Sequence, residues 1–327
     1  MRLLSSFLLL LLAALASAQQ PVNIPPPPGT PKDPGEIPVF TSDTRLVVLP
    51  VSVADKSGKL ITNLTQDAFK VFENGSPQPI KIFKREDVPV SMGIIIDNSG
   101  SMREKRTKVE TASADLVRAS NPHDEVFVVN FNDEAFLDVE FTNDMKKLEA
   151  GLARIDSRGG TAMRDAISMS IDYMLEKGKK DKKVILVVTD GNDNASTTSL
   201  EKLVDKARQK EVSIYSIGLL NDEDRREGKK AKRALDELTN ASGGLSYYPK
   251  ELAEVDKIAL QVAQEVRNQY TIAYSPTIQA LDGSFRQIKV TVAGAGRNAT
   301  VRTRTGYYAT PDSQQKPKRA GLTHPSD

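Results

Sequence analysis

Val90 to Ile96 (VSMGIII) carries no charge and is rich in β-branched residues, and it breaks abruptly into Asp97-Asn98-Ser99-Gly100-Ser101. A run of this kind, bounded by polar turn residues, is the pattern of a strand buried on both faces of a parallel sheet. From about Arg103 the spacing becomes amphipathic and helical. The stretch therefore reads as a strand, a polar loop at its carboxyl end and a helix. Open α/β sheets bind their ligands at that edge. The loop places a carboxylate and two hydroxyls at i, i+2 and i+4, with Gly100 to let the chain turn. Three oxygens on a tight loop suit a hard divalent cation such as Mg²⁺.

The alternation continues from Val88 to about Asn268. Strands are expected at 125–130, 135–141 (antiparallel), 184–189, 212–219 and, weakly, 243–248. Helices are expected at 144–155, 163–176, 200–210, 231–242 and 252–267, with a charged loop at 221–230. This is the order of a doubly wound, mostly parallel α/β sheet with helices on both faces. The basic run Lys177 to Lys183 is expected in a solvated loop.

On either side the pattern changes to short strands. Residues 44–53, 69–73 and 79–83 precede the α/β segment, with an Asn74-Gly75 hairpin signal between the last two. Residues 270–274, 285–292 and 299–304 follow it. The first group alone is too small for a free-standing sandwich. The economical expectation is a small β-sandwich-like domain formed by both flanks, 40–87 and 269–309, with the α/β domain at 88–268 inserted in it.

The ends are expected to lie outside these domains. Met1-Arg2, the apolar stretch Leu3 to Leu15 and Ala16-Ser17-Ala18 read as a signal peptide over residues 1–18. The apolar stretch is shorter than the ~20 residues that a membrane span needs, so no span is expected after cleavage. The chain would be exported, to a periplasm or outside the cell. Residues 19–39 form a proline-rich linker, and 310–327 a polar tail. With no cysteine there are no disulfides and no thiolate sites, and an exported protein without disulfides leans bacterial. Two histidines, His123 and His324, make a histidine zinc site or a Ser-His-Asp triad improbable, and a net charge of +2 does not point to nucleic acid.

Two further loops belong with the first. Gly159-Gly160-Thr161 precedes a helix, and Asp190 ends the second fully apolar strand, VILVVT, at the same sheet edge as Asp97. One such loop alone reads as helix capping. Asp97, Ser99, Ser101, Thr161 and Asp190 together read as an all-oxygen metal site with few charged ligands.

Asp97-x-Ser99-x-Ser101, Gly159-Gly160-Thr161 and Thr189-Asp190-Gly191 resemble the metal-ion-dependent adhesion site of the von Willebrand factor A domain. Asp67-Ala68-Phe69-x-Val71-x-Glu73-Asn74-Gly75 and Arg304-Thr305-Gly306-Tyr307-Tyr308 resemble the flanks of exported bacterial proteins with a related domain, known especially from acidobacteria. The resemblance implies a protein-binding module, for adhesion or scaffolding, with no catalytic residues. Its cation would be Mg²⁺, with Mn²⁺ and Ca²⁺ as the other candidates. Ser99 and Ser101 would ligate it directly, Thr161 directly or through water, and Asp97 and Asp190 often through water. A partner's Asp or Glu carboxylate would fill the remaining position. Asp193 could orient a water in the outer shell. In switching members of the family the last helix, here 252–267, slides when the metal shell changes.

Two alternatives stay open. Asp190-x-Asn192-x-Asn194, with Glu201 twelfth, resembles an EF-hand calcium loop, but Ala195 stands where the turn needs glycine. Asp97 could also be the nucleophile of a Mg²⁺-dependent phosphoryl-transfer enzyme or phosphatase. That chemistry usually wants a second nearby acid and a phosphate-clamping lysine, and no Gly-Lys-Ser/Thr phosphate loop is present.

Overall fold

The computed structural model describes residues 46–311, except 86, 154–156, 192, 221–224 and 295–298. The expected signal peptide, the linker and residues 312–327 of the tail lie outside the described residues. Four strands lead: β1 (Val47–Ala54), β2 (Phe69–Glu73), β3 (Ser76–Gln78) and β4 (Ile80–Lys84). The α/β segment begins with β5 (Val90–Asp97), α1 (Arg106–Ala119), β6 (Glu125–Phe131), β7 (Ala135–Thr142) and α2 (Met145–Leu152). It continues with α3 (Met163–Lys177), β8 (Lys182–Thr189), α4 (Leu200–Lys210), β9 (Ser213–Gly218), α5 (Arg225–Ser242), β10 (Ser246–Tyr247) and α6 (Val255–Arg267). Four strands close the chain: β11 (Tyr270–Tyr274), β12 (Phe285–Val292), β13 (Thr300–Arg302) and β14 (Gly306–Tyr308).

The central sheet runs β10-β9-β8-β5-β6-β7, parallel except for the edge strand β7. Strand β5 is buried along its whole length, as a charge-free strand must be when helices cover both faces. Its side chains alternate between two cores. Met92, Ile94 and Ile96 pack with Leu116, Leu148 and Val262 of α1, α2 and α6, while Ile95 packs with Ile167, Leu203 and Leu235 of α3, α4 and α5. Gly93 leaves room for a neighbour: a Cβ there would stand 2.4 Å from the Phe127 ring of β6.

The flanks interleave. One antiparallel sheet is β13-β1-β11-β4 and the other is β14-β12-β2-β3. Leu49, Val51, Tyr270 and Ile272 of the first share a core with Phe69, Val71, Ile288 and Val290 of the second. The two sheets thus form a sandwich built from both ends of the described chain, with the α/β segment inserted between them. Neither flank could bury its apolar face alone.

Several expectations need correction. Residues 79–83 do not complete the hairpin with β2. Asn74 and Gly75, with φ of 48° and 81°, turn the chain into β3 instead, and β4 crosses to the other sheet to pair with β11. Pro79 separates the two strands and cannot donate to a ladder. Helix α1 starts at Arg106 because Gly100–Met102 form a 3-10 turn. Asp144 caps α2 rather than belonging to it, its carboxylate accepting from the N–H groups of Lys146 and Lys147. Residues 252–254 are likewise a 3-10 turn ahead of α6. The expected loop at 221–230 is helical from Arg225, since the basic residues between 225 and 233 line an exposed helix as readily as a loop. Lys182 is in β8, not in a solvated loop. It donates to the Val266 carbonyl at the end of α6, and burial pulls its ammonium pKa down to about 8.

Candidate metal site at the carboxyl edge of the sheet

From β5 the chain passes to β6 on one side and later to β8 on the other, so the crevice above β5 is a topological switch point. The register pairs Ile96 with Val188, which sets Asp97 opposite Thr189 and places Asp190 one residue beyond. Asp97 is fully buried. One of its oxygens accepts from the Ser99 N–H at 2.8 Å and the other from the Thr189 hydroxyl at 2.6 Å. Burial pushes the Asp97 carboxyl up to about 6; hydrogen bonds from Ser99 and Thr189 oppose this, and the Asp190 charge adds to it.

A row of oxygens continues from the first loop to the third. The Ser99 and Ser101 hydroxyls stand 3.1 Å apart, and the Ser101 hydroxyl donates to Asp190 Oδ1 at 3.0 Å. Adjacent oxygens of an octahedral Mg²⁺ shell with bonds near 2.05 Å lie about 2.9 Å apart. The donors are thus spaced as the edge of such a shell requires, and all are hard oxygens. Among the described residues no three His, Cys, Asp or Glu side chains cluster as metal ligands, so a cation here would rely on hydroxyls.

The second loop lies against both others. Gly100 N–H donates to the Gly159 carbonyl at 3.4 Å, and Arg158 N–H donates to the Asn98 carbonyl at 3.0 Å. Gly159 has φ of 77° and passes so close to Asp133 that a Cβ would stand 2.1 Å from its carboxylate. Asp133 in turn accepts from the Gly160 N–H at 2.8 Å. Thr161 is held by Asn194, whose carboxamide oxygen accepts from the Thr161 N–H at 2.9 Å, while Asn194 N–H donates back to the Thr161 carbonyl at 3.1 Å. Below the first loop the buried Arg106 donates to the carboxamide oxygens of Asn98 and Asn130 and to the Leu152 carbonyl.

Asp97, Ser99, Ser101 and Asp190 are therefore joined directly, and Thr161 sits on a loop bonded to both of the others. Asp193 braces the third loop. Its carboxylate accepts from the Arg164 N–H and guanidinium and from Ser196, which ties the third loop to the start of α3. Sequence reasoning gave no role to Asp133 or to Lys105, whose ammonium donates to Asp190 Oδ2 at 2.8 Å, and it read Asn194 only as part of the calcium-loop alternative. Thr189 was quoted in the motif as the last residue of its strand, without the hydroxyl's bond to Asp97. Replacing Asn194 by Ala is expected to weaken Mg²⁺ binding about tenfold by loosening Thr161, with a stability loss of about 1 kcal/mol. Calorimetric titration beside urea unfolding checks both, and unchanged affinity would show that Thr161 is held by other means.

The calcium-loop alternative loses support. The segment from Asp190 follows a strand, and the Asn194 carboxamide oxygen is engaged by Thr161; Asn192 lies outside the described residues. Beside the third loop a groove of about 700 Å³ runs between α3, α4 and α5, lined among others by Met163, Leu200, Lys230 and Ala231.

Comparison with known proteins gives the site a family. No curated protein matches the chain. Among solved structures, a von Willebrand factor type A protein from Catenulispora acidiphila is similar at 14% identity, with 81% of this chain and 75% of that chain covered and a TM-score of 0.48. The von Willebrand factor domain of a type V pilus tip protein from Porphyromonas gingivalis is similar at 13% identity, covering 55% of this chain and 97% of that one, TM-score 0.44. Proximal thread matrix protein 1 from the mussel byssus, solved with zinc in its adhesion-site motif, is similar at 16% identity, covering 60% of this chain and 50% of that one, TM-score 0.48. The family model for the von Willebrand factor type A domain matches residues 92–270, more than half of the chain and all five candidate ligands. The chain belongs to the von Willebrand factor type A domain family.

Proposed function

We propose that the protein is an exported binding module that holds a divalent cation, Mg²⁺ in the first instance, at Asp97, Ser99, Ser101, Thr161 and Asp190, and captures an acidic residue of a protein partner. The observation that carries the reading is the row of oxygens from Ser99 through Ser101 to Asp190 at octahedral spacing. A bound cation supplies an electrophilic position for an external carboxylate oxygen. The chain's own residues do the rest. Thr189 and the Ser99 backbone hold Asp97 inside the sheet edge, and Ser101 fixes one oxygen of Asp190. Asn194 holds the second loop to the third, and Asp133 holds it to the β6–β7 turn. The groove beside the third loop, with Arg226, Lys229 and Arg233 of α5 in its wall, offers further surface to an acidic segment.

The enzyme alternative has less support. A nucleophilic Asp97 would need open access for in-line attack, whereas it is fully buried with both oxygens engaged. Export rests on the signal-like first 18 residues, and among the described residues no helix is long and apolar enough to cross a membrane. The resemblance of the flanks to exported bacterial relatives belongs to this reading, since the family match stops at residue 270.

Calorimetric titration of the full chain with Mg²⁺, beside Asp190→Ala, tests the site. Binding in the wild type and its loss in the variant is the expected result. Binding retained in the variant would move the cation elsewhere and sink the assignment.

A further inference from the structure

We infer that Lys105 is an internal cation that competes with the metal for Asp190 and so sets the site's affinity. The inference rests on the metal reading above. Its ground is the Lys105 ammonium, 2.8 Å from Asp190 Oδ2 and 3.4 Å from the Leu219 carbonyl. The other oxygen of the same carboxylate accepts from Ser101. Asp190 is thus divided between a candidate metal ligand and a fixed positive charge.

The helix does not account for this lysine. Lys105 is the N-cap of α1, whose first turn holds no acidic residue, and a positive charge at a helix N-terminus opposes the macrodipole. Neighbouring basic residues do not help: Arg103 donates to the Ser157 carbonyl and Arg106 serves Asn98 and Asn130. What Lys105 gains at that place is Asp190. The pair is partly shielded, the side chains being 26% and 8% exposed, so its attraction is screened less than that of a surface pair.

A divalent cation arriving at Asp190 meets the ammonium in one of two ways. It shares the carboxylate and is repelled, or it drives the ammonium out and loses the ion pair. Both weaken metal binding relative to a site without the lysine.

The test is calorimetric titration of the full chain with MgCl₂, for wild type, Lys105→Met and Lys105→Arg, with melting followed in EDTA and in excess MgCl₂. Lys105→Met keeps the length of the side chain and removes its charge. The expected result is a Kd for Mg²⁺ about tenfold tighter in Lys105→Met and within about threefold of wild type in Lys105→Arg. The Mg²⁺-induced rise in melting temperature should also be larger in Lys105→Met. Binding seen only in Lys105→Met would support the inference in its strongest form. An equal or weaker affinity in Lys105→Met, with wild type binding normally, would overturn the competition and make Lys105 a group that positions Asp190, while leaving the metal reading intact. Absence of binding and of any melting shift in all three proteins would overturn the metal reading and the inference with it.

Discussion

Replacing Asp97 by Asn is expected to abolish Mg²⁺ binding and, in EDTA at pH 7, to stabilise the protein by roughly 1–3 kcal/mol. The two effects have one cause. A carboxylate buried at the end of β5, beside the second negative charge of Asp190, is unfavourable without a cation, and its pKa is raised from 3.8 to about 6. Asparagine keeps the shape. Its oxygen can still accept from the Ser99 N–H, and its amide can donate to the Thr189 hydroxyl, reversing the bond that Thr189 now donates to Asp97. The sign of the pH dependence follows. Between 3.8 and about 6 the folded wild type binds a proton that the unfolded chain does not hold, so its stability rises as pH falls through that window. The variant has no such slope. Its advantage should be full at pH 7, shrink below about 6 and be gone by about 3.8. In Mg²⁺ at one hundred times Kd the wild type should gain about 2.7 kcal/mol and close the gap, while the variant gains nothing. Urea unfolding at pH 7 and 5, with EDTA or Mg²⁺, reads all four quantities. A variant less stable than wild type in EDTA at pH 7 would mean that Asp97 is held by attraction rather than strained by burial.

The parts of this site that were legible in the sequence are those that the backbone alone positions. A charge-free strand has to be buried on both faces, so β5 and β8 could be recognised from VSMGIII and VILVVT, and the first polar residue after each has to lie at the carboxyl edge. That is why Asp97 and Asp190 could be placed as neighbours from sequence. The residues that hold the loops were not legible, because nothing in local spacing links them. Asp133 reaches Gly160 from the β6–β7 turn, and Asn194 reaches Thr161 from 33 positions away. Lys105 reaches Asp190 from 85 positions away. Nor did spacing show that Asp193 binds Arg164 at the start of α3. The β-flanks show the same limit. Their strands were visible, but the move of β4 to the second sheet depends on which strands are present to receive it, and β11 lies far from β4 in sequence, beyond the whole α/β domain. Charge was the poorest guide: Lys182 is half-buried in β8, and residues 225–230 of the charged run are the first part of α5.

Arg302→Met is expected to destabilise the protein by about 3–5 kcal/mol, the usual result of stripping one partner from a buried ion pair. Arg302 in β13 donates to Glu265 of α6 at 2.7 Å, and the Glu265 side chain is 3% exposed. Burial works to lower the Arg302 pKa, but the Glu265 charge and hydrogen bond outweigh it and hold the pKa above its usual value. Glu265 also accepts from the Tyr215 and Tyr247 hydroxyls, and Gln269 extends the network to Tyr215 and to Ser52 of β1. The Glu265 carboxylate thus joins the last helix of the α/β domain to β13 directly, and to the adjacent strand β1 through Tyr215 and Gln269. Two phenols cannot replace the guanidinium charge, so the Arg302→Met variant would hold a buried anion without a cation. Removing the carboxylate as well should repair much of the loss: Arg302→Met with Glu265→Leu is expected within about 2 kcal/mol of wild type, since an apolar pair of similar volume often matches a buried ion pair. Urea unfolding of the two single variants and the double variant gives the coupling directly. Additive losses would show that the pair contributes nothing beyond its separate contacts. A coupling of several kcal/mol would mean that α6 cannot slide along the sheet without breaking this ion pair or carrying β13 with it, so any movement of the kind seen in switching members of the family would reach the β-sandwich.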